Sequence, residues 1–234
     1  MENINQKNKE RRYLIMGNRA IIKGKNQALG VYVHWNGGYD SVNAFCTYCK
    51  LKGYRSPETD SYGIARLAQV IGNFFGGNVS VGIEIVDNNP TPKQVEELWL
   101  DNGIYEIEGW KIVNHMNPDI VIKEDHEEYD LMEFLETIDE NMPTKEQLGK
   151  EFLHSEEMNV TDLKVGDVVY YWNELYGKYE RHTVIGIAEG ETIRNGHNMD
   201  GIPYIDLYEN NGSYDWNPNN YLAYQKTIRV FKEK

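Results

Sequence analysis

The segment from Ser61 to Ile85 constrains the fold more than any other. Ile64, Leu67, Ala68, Ile71, Phe74 and Phe75 recur at helical spacing until Gly76-Gly77, and Val79, Val81, Ile83 and Ile85 then alternate with Ser80, Gly82 and Glu84. The first pattern is one face of a helix and the second a half-buried strand, so the chain must lay a helix against a sheet. The same switch of period occurs upstream. Ala20-Ile21-Ile22 and Leu29 to Trp35 flank the polar turn Lys25-Asn26-Gln27 and predict two paired strands. After Gly37-Gly38, Asp40 or Ser41 caps a helix through residue 52, with Val42, Phe45, Cys46 and Cys49 on one stripe and Gly53 as its stop.

Further along, Thr91-Pro92-Lys93-Gln94 has capping-box spacing and opens a short helix to about Leu100. Ile104 to Ile107 and Trp110 to Val113 predict a hairpin around Glu108-Gly109. A helix with Leu131, Leu135 and Ile138 on its buried stripe follows, and Pro143 interrupts it before a second capping-box spacing at Thr144 to Gln147. From Leu163 the pattern is β-like: Val168 to Trp172, Arg181 to Ala188, Ile202 to Tyr208 and Thr227 to Phe231 are strands between Gly, Asn and Asp turns. The fold class is therefore α+β. Residues 1–15 form a flexible extension, and 16–142 a mixed domain with an antiparallel sheet and two or more helices. Residues 143–234 form a linker helix and a small all-β domain, expected to be an SH3-like barrel because closure removes unpaired edges.

With 40% hydrophobic and 12% aromatic residues over 234 positions, the chain has enough apolar surface for packed cores. No apolar run reaches the roughly 18 to 20 residues that cross a bilayer, and the polar N-terminus lacks a secretion h-region, so a cytoplasmic location without membrane association is expected. The two cysteines, Cys46 and Cys49, sit on the apolar stripe with no second pair, which makes them buried inert thiols rather than zinc ligands or a redox centre. His126 with Glu127, Glu128 and Asp130, and His197 with Asp200, match no metal-ligand spacing and are read as charged, solvated loops. Glycine motifs of dinucleotide and P-loop sites are absent, as is Gly-x-Ser-x-Gly, so no cofactor, metal or catalytic residue is assigned.

Thirty-seven acids against 24 bases give a formal charge of -13, which repels phosphate and attracts a basic surface. The surplus is densest at 119–140, with ten acids and one lysine. Asp130, Glu133, Glu136 and Glu140 there lie on or flanking the outer helix face, at spacings close to those of successive phosphates. They are candidates for contact with a basic protein; the bland alternative is a solvated helix face. Trp172, Tyr176 and Trp216, in or beside loops of the β-rich domain, are the other partner-binding candidates, with core filling as the alternative.

The densest polar and aromatic group is Tyr32-Val33-His34-Trp35-Asn36-Gly37-Gly38, with Arg19 on the neighbouring strand and Asp40 opening a helix. Arg19, Tyr32, His34, Asn36 and Asp40 are ligand-binding candidates: a histidine beside a helix N-terminus holds an anion or acts as a base, with Asp40 orienting it and Arg19 holding negative charge. The alternative is packing at a tight corner. Met16-Gly17-Asn18-Arg19 followed by Tyr32-x-His34-Trp35-Asn36-Gly37 resembles a poorly characterised family of bacterial and phage proteins that open with Met-Gly-x-Arg and carry Tyr-x-His-Trp-Asp-Gly. The resemblance covers about residues 16–113. It departs where Asn36 replaces the acid and where fifteen residues precede Met16. It implies accessory cargo of phages and mobile elements. Three functions are in view: an acidic inhibitor of a host nucleic-acid-processing or defence protein, a small-molecule binder or hydrolase around Arg19, His34 and Asp40, and an adaptor working through the C-terminal barrel.

Overall fold

The computed structural model describes residues 18–77, 80–98, 100–116, 130–173, 176–189, 193–194, 197–205, 222 and 226–231. The chain divides into two compact units, Met1–Gln147 and Leu148–Lys234. Both are built on antiparallel-rich sheets, and the whole is α+β. Among the described residues, no helix is long and apolar enough to cross a membrane.

In the first unit the order is β1 (Ala20–Gly24), β2 (Leu29–Val33), α1 (Tyr39–Leu51), α2 (Ser61–Phe74), β3 (Val81–Ile85), α3 (Pro92–Glu97), β4 (Ile104–Glu108), β5 (Lys111–Met116) and α4 (Leu131–Glu140). The strands form one sheet in the order β3-β2-β1-β4-β5. The β1–β2 and β4–β5 hairpins are antiparallel, as expected of short connections, and β2–β3 is antiparallel across the long connection through α1 and α2. Asn26 takes the left-handed φ of 61° in the β1–β2 turn. The central pair, β1 with β4, is parallel, with Ile21 opposite Ile104, so the expectation of an antiparallel sheet holds on either side of this pair but not within it. The crossover through α1, α2, β3 and α3 makes that pairing possible.

Register separates the two sheet faces. Ile22 lies opposite Val31 and Tyr105, whereas Ile21 lies opposite Tyr32 and Ile104. Tyr39 of α1 meets the Tyr105 ring, α2 packs on β2 and β3, and α1 packs on α2 and α4, so the three longer helices cover the Ile22 face. Phe45, Phe74 and Phe134, one from each of these helices, pack with ring centroids 5.3 to 5.8 Å apart. Beneath them the Tyr48 hydroxyl donates to buried Asp139 at 2.6 Å, tying α1 to α4. Cys46 and Cys49 are fully buried, and burial pushes the Cys46 thiol up to about 12. The Ile21 face is covered by Val86, Val95, Leu98 and Leu100, which α3 and its flanks bring over Ile21, Tyr32 and Ile104.

The starts of α2 and α3 follow their sequence signals. By contrast, α1 begins at Tyr39 with Gly38 as its N-cap and no side-chain cap, so Asp40 lies in its first turn and neither Asp40 nor Ser41 caps it. Asp60 caps α2 by accepting from Tyr62 N and Gly63 N, and Gly77 N returns to Gly72 O at 2.9 Å to close its last turn. Thr91 and Gln94 form the capping box of α3. The segment after Pro143 is not one helix: Thr144–Glu146 is a 3-10 turn, and Gly149, at φ 83°, separates it from α5 (Lys150–Leu153).

The second unit continues with β6 (Glu156–Asn159), β7 (Val168–Asn173), β8 (Lys178–Ile187), β9 (Ile193–Arg194), β10 (His197–Asn198), β11 (Pro203–Ile205) and β12 (Thr227–Phe231). Its larger sheet has the order β11-β8-β7-β12-β6 and is antiparallel throughout. Val160, Leu163, Val169, Val184, Ile205, Leu222, Ile228 and Val230 form the core. Among the described residues β11 and β6 remain as edges and the sheet does not close into a barrel. The part of the expected third strand beyond Ile205 lies outside the described residues.

Candidate functional site

Asn18-Arg19 and the Tyr32-x-His34-Trp35-Asn36-Gly37 segment meet because β1 and β2 are antiparallel neighbours, whereas Met16 and Gly17 of the pattern lie outside the described residues. Asn18 N donates to His34 O at 3.2 Å, and Gly37 N donates to Asn18 O at 2.8 Å. A Cβ on Gly37 would stand 2.5 Å from Asn18 O and 2.8 Å from the Ala20 side chain, so only glycine permits this approach. Asn36 lies at φ 55°, a region asparagine enters more readily than most residues, and its Nδ2 donates to Ser41 Oγ at 3.5 Å. Much of the pattern therefore builds a corner.

Arg19, just before β1, shares a sheet face with Tyr32 and His34. Because β4 runs parallel to β1, the lead into β4 delivers Asp101 beside Arg19. Asp101 accepts from Arg19 N, Nε and Nη2 at 3.0, 2.9 and 3.2 Å. The hydrogen bond to Asp101 raises the Arg19 pKa. Burial works against ionisation of Asp101, yet the guanidinium outweighs it and holds the carboxyl below its usual range. Arg19 is thus already committed to a carboxylate.

The Tyr32 hydroxyl and His34 Nδ1 stand 3.0 Å apart, a hydrogen bond in which the hydroxyl donates when the ring hydrogen is on Nε2 and the ring donates when it is on Nδ1. Burial raises the Tyr32 pKa, and Arg19 partly offsets it. Trp35 meets His34 edge-on at 4.8 Å and is 41% exposed. Asp40 is not part of this group. It acts on Tyr105, which opposes Ile22 on the helix-covered face, so the sheet separates Asp40 from Arg19, Tyr32 and His34.

Sequence reasoning missed the charged centre of the same face. Lys23 is fully buried and its Nζ reaches Gln27 O at 2.9 Å, Asp87 O at 3.5 Å and Glu106 Oε1 at 3.3 Å. Asn114 Nδ2 donates to Glu106 Oε2 at 3.0 Å. Gly30 is opposite Lys23 in register, and a Cβ there would stand 2.5 Å from Ile21 Cγ2, so its absence makes room for this row. The alternation Arg19, Ile21, Lys23 was a usable signal; the partner strand was not. On the opposite face His115 stacks on Tyr105 at 4.0 Å, and its Nε2–H donates to Asn102 O at 2.5 Å. Burial lowers the His115 pKa.

The acidic candidates divide by role. Asp130 Oδ1 accepts from Met132 N at 2.9 Å and Glu133 N at 3.1 Å, so this carboxylate caps α4. Glu133 and Glu140 are exposed, Glu136 is half-buried between them, and the last turn of α4 carries no base. Residues 119–129, including His126, Glu127 and Glu128, lie outside the described residues, as does the side chain of His197.

In the second unit Trp172 is half-buried and packs edge-on against Tyr179 at 5.0 Å, and Tyr179 in turn meets Phe152 at 4.7 Å. Trp172 thus joins a packed aromatic chain. Tyr176 is 66% exposed, with Lys178 Nζ 5.6 Å from its ring centroid. Trp216 lies outside the described residues. Among the described residues, no three His, Cys, Asp or Glu side chains converge to hold a metal. The chain matches no family model, no curated protein and no solved structure.

Proposed function

We propose that this protein is a non-catalytic acidic binding protein of a phage or mobile element, which acts in the host cytoplasm by occupying the basic surface of a nucleic-acid-processing or defence protein. The observation that carries the reading is the outer face of α4. Burial of Leu135 and Ile138 fixes the helix, and Glu133, Glu136 and Glu140 follow one another along its other side with no base in the last turn. Carboxylates three and four residues apart on a helix stand roughly 5 to 6 Å apart, near the spacing of phosphates on one strand. The chain's charge of -13 adds a field of the same sign. The motif resemblance supports the phage or mobile-element setting.

Affinity capture from bacterial lysate tests the reading. Wild type retains a basic protein at low ionic strength and releases it as salt rises, and Glu133→Gln/Glu136→Gln/Glu140→Gln retains much less. If the triple variant captures the same protein equally well, or nothing basic is retained at low salt, the α4 reading is lost.

A second reading draws on the Tyr32–His34 hydrogen bond beside the Arg19–Asp101 pair: a small-molecule binder or hydrolase on that sheet face, without Asp40. Thermal shift with nucleotides and phosphate tests it, since His34→Ala then removes a ligand-induced rise. A third, an adaptor with an SH3-like barrel in the second unit, draws on exposed Tyr176 at the β7–β8 turn.

A further inference from the structure

The two edges of the first sheet differ. The β5 edge begins with Lys111, and its pairing with β4 shifts register between Glu106 and Ile107, so that Val113 has no opposite residue. Lysines and bulges on an edge discourage pairing with another chain. The β3 edge, Val81-Gly82-Ile83-Glu84-Ile85, has neither lysine nor proline, and its register with β2 runs unbroken through all five residues. Ile83 is 53% and Ile85 80% exposed.

The hydrogen-bond parity of this edge is fixed. Ser80 O accepts from His34 N at 2.9 Å, and Val86 N donates to Ala28 O at 2.7 Å. In an antiparallel ladder the bonded residues alternate, so the even-numbered residues of β3 bond to β2, and the N–H and C=O of Val81, Ile83 and Ile85 point outward. Among the described residues nothing pairs with them.

We propose that a second copy of this chain adds to β3, antiparallel, about a two-fold axis through Ile83, which joins two five-stranded sheets into one. In this register Ile83 opposes the partner's Ile83, Val81 opposes the partner's Ile85, and Glu84 opposes the partner's Gly82. Every outward main-chain group of β3 meets its complement, and the three branched side chains form one apolar row across the junction. Charge selects this register as well. Moving the axis to Glu84 sets two carboxylates face to face, and moving it to Gly82 leaves Ile85 beyond the end of β3. A shift of one residue on one strand puts outward groups opposite inward ones. The contact is self-complementary, as a two-fold interface must be, and so needs no second surface. Each copy carries -13, so the dimer is expected to tighten as salt screens the repulsion, opposite to binding of a basic partner.

Sedimentation equilibrium of the full chain, with single cysteines placed along β3, tests the proposal. The expected result is a concentration-dependent dimer, stronger in about 0.5 M salt. Under mild oxidation Ile83→Cys forms a covalent dimer, because main-chain-bonded opposite residues lie about 5.5 Å apart at Cα, within disulfide reach. Ile85→Cys alone does not, but a mixture of Val81→Cys and Ile85→Cys does. Cys46 and Cys49 are buried and do not compete. Ile83→Lys, with an unchanged circular dichroism spectrum, weakens the dimer by roughly tenfold or more by opposing two ammonium groups. A monomer at every concentration and salt overturns the proposal. So does cross-linking that is equal at positions 83 and 85, or strongest at 85.

Discussion

On the Ile22 face of the first sheet, Ala20, Ile22, Val31, Val33 and Tyr105 are buried with the helices over them; on the Ile21 face, the same strands present Arg19, Lys23, Glu106 and Tyr32 among fewer apolar partners. The strands are identical, and only the parity of the residue number differs. The helix-covered face is held by area removed from water, which is graded and tolerant of shape. The other is held by charges that each need a partner, because a buried ion without one is far more costly than a lost methyl. That contrast accounts for the sequence reading: charged and aromatic residues that look like a ligand site are, in large part, each other's ligands.

The comparison breaks most sharply at Lys23. Lys23→Met leaves the Glu106 carboxylate without its cation and is expected to cost about 3 to 5 kcal/mol, measured by urea unfolding. Adding Glu106→Gln, which keeps an acceptor for Asn114, should recover most of that loss; if it does not, the ion pair is not what holds this face. Across the sheet, Ile22→Val should cost only about 1 kcal/mol, as a graded apolar contact predicts. The smallest effect belongs to Arg19, whose ion pair with Asp101 is partly exposed, so Arg19→Met should cost less than about 1 kcal/mol at neutral pH. Its pH dependence has a definite sign. The folded pKa of Asp101 is depressed, so its stabilisation is complete above the unfolded value near ~3.9 and is lost as pH falls through the folded value. Wild type and Arg19→Met should therefore converge in stability below about pH 4.

Local pattern made the helices legible. Val42, Phe45, Cys46 and Cys49 on α1, Ile64, Leu67 and Ile71 on α2, and the Thr91 capping box were readable because neighbours along the chain determine them. The β1–β2 hairpin was readable for the same reason. The parallel partner of β1 was not, since nothing in the period of residues 20–24 identifies a strand about eighty residues away. Lys23 and Asp101 were therefore missed, and Asp40 was grouped with residues across the sheet from it. Ile83 and Ile85 alternate as a half-buried strand should, but edge position leaves both exposed. Alternation reports a face, and the number of neighbouring strands decides how much of it is covered.

The parallel β1–β4 pair has a consequence for synthesis. As the nascent chain leaves the ribosome, β1 can close its hairpin with β2 at once, but its other side waits until residues 104–108 emerge. During that interval Ile21 and the Lys23 ammonium lack their second strand and counter-ion. Completion depends on closing a long chain loop, as does the addition of β3 to β2, so both long-range pairings are expected to follow the two hairpins.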